Sequence, residues 1–343
     1  MSLIRGTNLA QGHFEYPKDW GQGSRGILAC GGHGGESNWT RRIDYITIAT
    51  NANSADFGDN TGSSGGCYGG VAGASGRGRG ILAGGHNNAG TGSMTYYNDI
   101  NFITIAVPGN STTFGDLTRV TTHAAAVSNG TRALICGGRD KWDTMSGTTY
   151  TDMTYINIAT PGNSTTYGNI ASGAIGGHDG PLTTGATGPC VDGTGNGIYG
   201  MVQCQNGHFD YMNIAVNSNS HRFGNLSTSR QNHTYSGAVS NGTRAIWTTG
   251  DDGKMEVMTW ETPAAATLFA KYFTTNGHSA YRNVGCDDGS SGILWGGISA
   301  GKAIFRFPMD YVGSSSAMIG TDIGDFYCPY SIDRWDTTSF AGN

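Results

Sequence analysis

Six near-copies of one short, glycine-ended run are spread along this chain, and they constrain its fold more than any single motif does. Gly26-Ile-Leu-Ala-Cys-Gly-Gly32 returns in recognisable form five more times, each copy anchored on an Ile or an Ala. The anchors are Ile27, Ile81, Ala133, Ile198, Ala245 and Ile293. Their spacings, between 47 and 65 residues, are typical of a propeller blade rather than of a helical repeat. Each unit is therefore predicted to be one copy of a small structural module.

The third copy shows four short strands separated by turn signals. Asn129-Gly130 supplies the positive φ of a hairpin turn, and Pro161-Gly162-Asn163 forms a second turn. Alternation through Tyr155, Ile156, Asn157 and Ile158 is typical of a strand with one packed face. The 58 glycines separate β-branched and aromatic runs, and no stretch has a sustained helical period. We therefore expect an all-β fold, a six-bladed β-propeller of four-stranded antiparallel blades.

One domain spanning residues 1–343 is expected, because the repeats run through nearly the whole chain. The predicted blade limits are about 12–59, 66–116, 121–170, 184–226, 231–272 and 277–324. Residues 1–11 and 325–343 lie outside this frame, and the sequence leaves open whether they clasp the ring shut or reach a partner.

The repeats resemble two known kinds of sequence. Paired glycines that close a strand, a following Tyr strand and a later aromatic residue, as in Tyr155 and Tyr167, resemble the kelch repeat of β-propellers. Phe102-Ile-Thr-Ile-Ala-Val-Pro-Gly-Asn-Ser-Thr-Thr-Phe-Gly-Asp-Leu117 is similar to repeats of virion proteins from tailed phages. The second resemblance is strongest in the first three repeats. It implies a structural or adhesive role on a virus particle and carries over no catalytic residue.

Composition and charge argue against several function classes. The net charge is −5 and the few Lys and Arg are scattered, so the basic stripe that nucleic-acid binding needs is missing. The first residues lack the apolar core of a signal peptide, and no run reaches membrane-spanning length. The seven cysteines are an odd number without close pairs, and most are interpreted as small core residues. We expect no cofactor, no nucleic-acid partner and no membrane insertion.

One face of the propeller is predicted to carry the functional surface. In antiparallel blades, the connection after the second strand and the connection into the next blade emerge on the same face. Those after the second strand are longest in the first three repeats and are rich in aromatic and polar residues. The candidate ligand-binding residues are Trp39, Arg41, Tyr96, Tyr97, Trp142, Asp143 and Tyr150. Aromatic rings among polar groups suit sugar binding, but the same composition fits a protein contact or local packing under the loops.

A recurrent histidine forms a second constellation. His13, His123, His233 and His278 each fall near the start of a predicted innermost strand. Metal binding is one reading, but blades of a ring hold such side chains too far apart for shared coordination at about 2 Å. A structural hydrogen bond to the neighbouring blade is favoured, and no metal site is predicted.

These observations favour a non-catalytic protein of a phage particle. No nucleophile with its base, pair of converging carboxylates or metal site stands out, so no catalytic residue is assigned. The chain is expected in multiple copies on the virion, made in the host cytoplasm, as a tail, fibre-associated or capsid-surface component. Its partners would be other virion proteins and host-surface glycans. The alternatives are a purely structural capsid decoration or tail scaffold, and a propeller enzyme that acts on polysaccharide.

Overall fold

A computed structural model describes most of the chain. The described residues are 23–31, 40–62, 69–88, 94–141, 147–171, 193–204, 208–225, 237–248, 253–271, 283–296, 302–326 and 338–342. Strands are numbered β1 to β26 in chain order.

Six four-stranded antiparallel sheets form the blades, each named here from its innermost to its outermost strand. Blade 1 comprises β26 (Thr338–Gly342), β1 (Arg25–Ala29), β2 (Arg42–Thr47) and β3 (Ala55–Asp59). Blade 2 comprises β4 (Ala72–Gly76), β5 (Arg79–Ala83), β8 (Asp99–Thr104) and β9 (Thr112–Asp116). Blade 3 comprises β10 (Ala125–Ser128), β11 (Arg132–Cys136), β12 (Asp152–Asn157) and β13 (Thr165–Asn169).

The other three blades follow the same order. Blade 4 comprises β14 (Gly193–Gly195), β15 (Tyr199–Cys204), β16 (His208–Asn213) and β17 (His221–Asn225). Blade 5 comprises β18 (Ala238–Ser240), β19 (Arg244–Thr248), β20 (Lys254–Thr259) and β21 (Thr267–Lys271). Blade 6 comprises β22 (Asn283–Asp287), β23 (Ser291–Gly296), β24 (Ala303–Pro308) and β25 (Thr321–Asp325). An added hairpin, β6 (His86–Asn88) with β7 (Met94–Tyr96), stands in blade 2 between β5 and β8.

The innermost strands surround a central axis, where each contacts the innermost strand of the next blade. Gly, Ala and Ser dominate these strands because only small side chains fit where six backbones converge. Between them remains a narrow cavity of about 70 Å³, lined by residues such as Ser75, Ala126, Gly193 and Asp287. The predicted all-β, six-bladed propeller is therefore confirmed.

The ring is closed by strand β26, residues 338–342. Strand β26 pairs antiparallel with β1, which places Phe340 opposite Ile27. The first blade thus takes its innermost strand from residues 338–342, whereas the sequence placed blade 1 within residues 12–59. Of the two roles left open for residues 325–343, the structure shows a clasp for this part. Residues 1–22 lie outside the described residues.

The repeat alignment was wrong in three blades. Strand pairing places Ile27, Ile81, Leu134, Met201, Ile246 and Ile293 at equivalent positions of the second strands. Ala133 and Ala245 each lie one residue earlier, and Ile198 is a turn residue that is 45% exposed. A Gly-Ile pair misled the comparison in blade 4, because there Gly197-Ile198 belongs to the Asn-Gly turn before the strand.

The hydrophobic core lies between neighbouring blades. One cluster joins Leu134 and Cys136 of blade 3 to Val202 and Met212 of blade 4, and the other junctions have similar clusters. The cysteines that the structure describes, Cys30, Cys136, Cys204 and Cys286, are all buried. Their prediction as small core residues is confirmed; Cys67, Cys190 and Cys328 lie outside the described residues.

Four junctions between blades share a contact that we call the Asn-Ser staple. At the junction of blades 2 and 3, the Asn163 side-chain oxygen accepts a hydrogen bond from Asp116 N at 3.0 Å. The Ser164 amide then donates to the Asp116 carbonyl oxygen at 2.8 Å. Equivalent Asn-Ser pairs start at Asn53, Asn110 and Asn219. The most conspicuous part of the repeat, Pro-Gly-Asn-Ser, therefore has a structural role in joining blades.

An arginine contact recurs at four junctions, those of blades 1 and 2, 2 and 3, 3 and 4, and 5 and 6. The guanidinium of Arg79 in blade 2 donates to the carbonyl oxygens of Ile158 and Ala159 in blade 3, at 2.9 Å each. Arg25, Arg132 and Arg244 make the same kind of contact from the same strand position. These junctions are thus held by polar contacts to backbone atoms as well as by apolar packing.

Candidate binding face

The two ends of the propeller differ in how much chain they carry. Connections after the second strand and connections between blades emerge at one end, which we call the loop face. Those after the second strand span residues 30–41, 84–98 and 137–151 in blades 1 to 3, but only 205–207, 249–253 and 297–302 in blades 4 to 6. The opposite end, the turn face, carries shorter turns, except for residues 309–320 of blade 6. Half of the loop face therefore has most of the additional residues.

The structure describes four of the seven predicted site residues. Arg41, Tyr96, Tyr97 and Tyr150 all belong to connections of the loop face or their edges, and the three tyrosines are partly buried. Trp39, Trp142 and Asp143 lie outside the described residues. Ligand binding by the set stays a prediction, but the contacts of the described members can be compared.

Tyr96 lies beside a buried pair of histidines. Its ring centroid is 5.9 Å from that of His86, which in turn stacks on His123 at 5.4 Å with an interplanar angle of 16°. The Thr122 hydroxyl lies 3.0 Å from Nδ1 of each imidazole. This group joins the β6–β7 hairpin of blade 2 to the connection that enters blade 3, so the Tyr96 ring is held from below by rigid neighbours.

Tyr150 lies in a charged setting at the edge of blade 3. The Arg119 guanidinium carbon is 3.5 Å from the Tyr150 ring centroid, and the same guanidinium forms an ion pair with Asp152. Partial burial, with Asp140 nearby, raises the pKa of the Tyr150 phenol above its ordinary value. The phenol is therefore a proton donor at neutral pH, next to one cation and two carboxylates.

Tyr97 and Arg41 lie away from this group. Tyr97 packs against the core cluster shared by blades 1 and 2, and its hydroxyl accepts from the Asn87 side chain at 3.4 Å. Arg41 contributes its carbonyl oxygen to Asn60 N at 2.9 Å. The structure thus brings Tyr96 and Tyr150 to the junction of blades 2 and 3, and places Tyr97 toward blade 1.

We call the partly buried residues around that junction, together with the buried His86 beside them, the junction patch. It consists of His86, Tyr96, Arg119, Asp140, Tyr150 and Asp152. The predicted site lacked four of these six residues: His86, Arg119, Asp140 and Asp152. Arg119 lies in the connection between blades 2 and 3, residues 117–124, which reaches the same face as the long connections. Because this connection reaches the same face as the long connections, the sequence could have indicated Arg119 as a site residue. The stacking partners of His86 could not be inferred from the sequence.

The recurrent histidines do not form a described cluster. His123 is buried, has a φ of 53°, and donates its backbone N–H to the Gly70 carbonyl oxygen at 2.8 Å. This bond reaches the entry of blade 2, but it comes from the backbone, so the predicted hydrogen bond of the histidine side chain to a neighbouring blade stays a prediction. His13, His233 and His278 lie outside the described residues. Within the described part of the chain, no group of three His, Cys, Asp or Glu side chains could hold a metal ion.

Comparisons with known proteins support the fold. No protein-family model matches the chain, and no curated protein matches it. Solved structures do match, with 566 chains similar in fold. One, described as "Structure of YjhT", shares 11% sequence identity and a TM-score of 0.55, over 82% of this chain and 94% of that one. At this identity the likeness shows the fold alone. The chain is a six-bladed β-propeller, and among the described residues no helix is long and apolar enough to cross a membrane.

Proposed function

We propose that this propeller is a non-enzymatic binding protein that contacts its target with the junction patch and the long connections around it. The observation that carries the proposal is that the connections after the second strand are long only in blades 1 to 3. A ring needs no such extension for stability, because most of its junctions are already held by staples or arginine contacts. The extra chain is therefore best explained by recognition, a role that loops on a rigid scaffold commonly serve.

The chemistry of the junction patch suits host-surface glycans. Sugar hydroxyls both donate and accept hydrogen bonds, and the patch offers the Arg119 donors beside the Asp140 and Asp152 acceptors. The Tyr96 ring provides an apolar surface for the C–H side of a sugar ring. One face of Tyr150 is covered by Arg119, so its phenolic edge rather than its ring face would reach a ligand. A glycan is accordingly the first target to test.

The place of action proposed is the surface of a tailed-phage particle, in several copies and beside other virion proteins. This part rests on the resemblance of the Phe102 to Leu117 segment and its copies to phage virion repeats. Because the Asn-Ser staple accounts for much of that motif, the resemblance marks a shared way of building blades. It supports the location of the protein but does not identify its ligand.

A scaffold role within the particle is the second candidate, and the turn face favours it. Val107, Val216 and Val312 are exposed at turns of blades 2, 4 and 6 on that face. Isolated exposed valines are common on protein surfaces. Their recurrence on alternate blades, however, offers three apolar points to a neighbouring virion protein.

Glycan-array binding of the purified chain tests the first role. We expect binding to one glycan class, and a loss of about tenfold or more in Tyr96→Ala and Arg119→Ala, because each removes a central contact. Tyr199→Ala is the matched control, since Tyr199 is a 36% exposed aromatic residue at the start of β15, on the turn face. Trp39→Ala and Trp142→Ala test the two predicted tryptophans. No binding to any glycan class, or equal binding by every variant, would argue against a glycan target.

The particle location needs a separate measurement. Peptides of this chain should be detected by mass spectrometry in purified virions, and cross-linking should join it to other virion proteins. Cross-links confined to the turn face would favour the scaffold role over attachment. Hydrolysis of a polysaccharide by the purified chain would contradict both roles and restore the enzyme alternative.

A further inference from the structure

Blade 5 lacks an aromatic ring that blades 1 to 3 place beside their arginine. In those blades the Arg of the second strand lies over an aromatic residue of the third strand, and this ring meets a second ring from the fourth strand edge-on. The stacked pairs are Arg25 on Tyr45 at 4.9 Å, Arg79 on Phe102 at 4.8 Å and Arg132 on Tyr155 at 4.4 Å. The edge-on partners are Phe57, Phe114 and Tyr167. In blade 5 the same strand positions hold Arg244, Val257 and Phe269, so the middle ring is missing.

A second change lies in the outermost strand of blade 5, which faces blade 6. The outermost strands of the other five blades have glycine at one position: Gly58, Gly115, Gly168, Gly224 and Gly324. A Cβ atom at any of them would come within 1.9 to 2.6 Å of the next blade's backbone. Blade 5 has Ala270 there, and the loop of blade 6 follows another path, pairing with Lys271 through Ala317 and Ile319 at 2.9 and 2.8 Å.

These two changes leave a groove at the turn-face end of the junction between blades 5 and 6. Its volume is about 370 Å³, within the range of about 300 to 1,000 Å³ typical of small-molecule pockets. Arg244, Val257, Phe269 and Tyr311 form its walls, with Val312 among the lining residues. Tyr311 takes over one role of the missing ring, because it meets Phe269 edge-on. Their ring centroids are 6.0 Å apart and the ring planes are at 89°.

The groove has few polar side chains, one arginine and three threonines. Arg244 donates to the Tyr311 carbonyl oxygen at 3.1 Å, and the hydroxyls of Thr259, Thr262 and Thr267 belong to the lining residues. Among the described residues that line the groove there is no Asp or Glu. A guanidinium without a neighbouring carboxylate favours a ligand that carries an acceptor or an acidic group.

We propose that this groove binds the planar aromatic ring of a ligand, which lies against the Arg244 guanidinium where blades 1 to 3 place their own Tyr or Phe. An acidic or accepting substituent on the ring would face Arg244 and the threonine hydroxyls. The three complete blades are the template for this assignment, because they show that an Arg and an edge-on aromatic residue in this frame hold a flat ring between them. The groove lies on the turn face and is separate from the junction patch of the proposed function.

Ligand-detected NMR with three probes tests the proposal. Indole-3-acetate represents a free aromatic acid, N-acetyltryptophanamide represents an aromatic side chain of a partner protein, and cyclohexylacetate has the acid without an aromatic ring. We expect indole-3-acetate or N-acetyltryptophanamide to bind at millimolar concentration or better, and whichever binds more tightly identifies the source. Cyclohexylacetate should bind at least about tenfold more weakly, because it lacks the π face. Equal binding of cyclohexylacetate, or no binding of either aromatic probe, would overturn the proposal.

Two variants locate the binding. Val257→Tyr restores the ring found in blades 1 to 3 and should abolish probe binding while the chain stays folded by circular dichroism. Arg244→Met should weaken binding about tenfold, because it removes the cation from the ring face. The matched control is Arg132→Met, which loses the same interblade contact in blade 3 and should bind the probes unchanged. Persistent binding in a folded Val257→Tyr chain, or equal weakening in both arginine variants, would refute the site.

Discussion

The junction of blades 2 and 3 and the junction of blades 5 and 6 join equivalent strands by different contacts. The first has the Asn163 and Ser164 staple, and Gly115 allows the backbone of Gly162 to approach closely. The second has Ala270 in place of the glycine, a longer loop over residues 309–320 and an open groove. All four blades at these junctions nevertheless keep four antiparallel strands. The pairing within a blade therefore tolerates changes that remodel the space between blades.

This difference separates two kinds of information in the repeat. Alternation and turn residues specify the blade, whereas Gly-Asn-Ser and Phe-Gly-Asp specify how tightly the next blade approaches. Where the second kind is lost, the ring stays closed but a surface groove opens. Three substitutions sharpen this interpretation.

The largest effect is expected from Gly115→Ala. An added Cβ would lie 2.3 Å from the carbonyl oxygen of Gly162, so one of the two backbones has to move. We expect a loss of about 3 kcal/mol in the free energy of unfolding, as for an overpacked core. Urea denaturation measures it. Ala270→Gly is the control in blade 5, where a loss of only about 1 kcal/mol is expected from the added backbone freedom. Similar losses in both variants would show that the two junctions are equally tight.

Asn163→Ala should have an intermediate effect. It removes the side-chain oxygen that accepts from Asp116 N at 3.0 Å, and leaves the parallel bond from Ser164 N in place. The expected loss is about 1 kcal/mol, measured by thermal and urea unfolding. Ala265 already stands at the equivalent position of blade 5, next to Ala266, whose amide bonds to Asn225. Ala265→Asn is therefore the reciprocal variant, and stabilisation by it would show that the staple can be transferred.

The smallest effect concerns a hydroxyl present at the junction of blades 3 and 4. Tyr167 donates to the carbonyl oxygens of Asn213 and Val216 in blade 4, where blades 1 and 2 have Phe57 and Phe114. Burial raises the pKa of Tyr167 above 10, so the folded chain holds this proton more tightly than the unfolded chain. The stabilisation is complete below about pH 10 and declines as the pH rises through the folded-state value. Tyr167→Phe should cost about 1 kcal/mol at pH 7.

The pH dependence provides the check for this last variant. The difference in unfolding free energy between the natural chain and Tyr167→Phe should shrink as the pH rises above 10, because only the natural chain can lose the proton. Paired urea titrations at pH 7 and pH 11 measure this difference. A difference that stays constant would mean that the hydroxyl is not responsible.

The fold was predictable because its determinants are local. Asn129-Gly130, Asn241-Gly242 and the alternation around Tyr155 indicate hairpins and strands within a few residues of each other. Ile198 was chosen as an anchor because its Gly-Ile pair matches those of other repeats. Counting from the Asn-Gly turn would instead have aligned Tyr199 with Arg132 and Arg244. The candidate site was predictable only in its connections. That Arg119 covers Tyr150, or that His86 stacks on His123, depends on chain segments that approach one another only after the ring forms.

The pairing of β26 with β1 has a consequence for biosynthesis. During translation β1 emerges among the earliest strands, while its partner at residues 338–342 leaves the ribosome after every other blade. Until then the inner edge of the first sheet is a row of unpaired backbone groups, a geometry that invites association with other chains. Nascent chains on the same messenger RNA lie close together and are thus most vulnerable to mispairing at β1. A free peptide with the sequence of residues 338–342 would compete for β1 and inhibit closure of the ring.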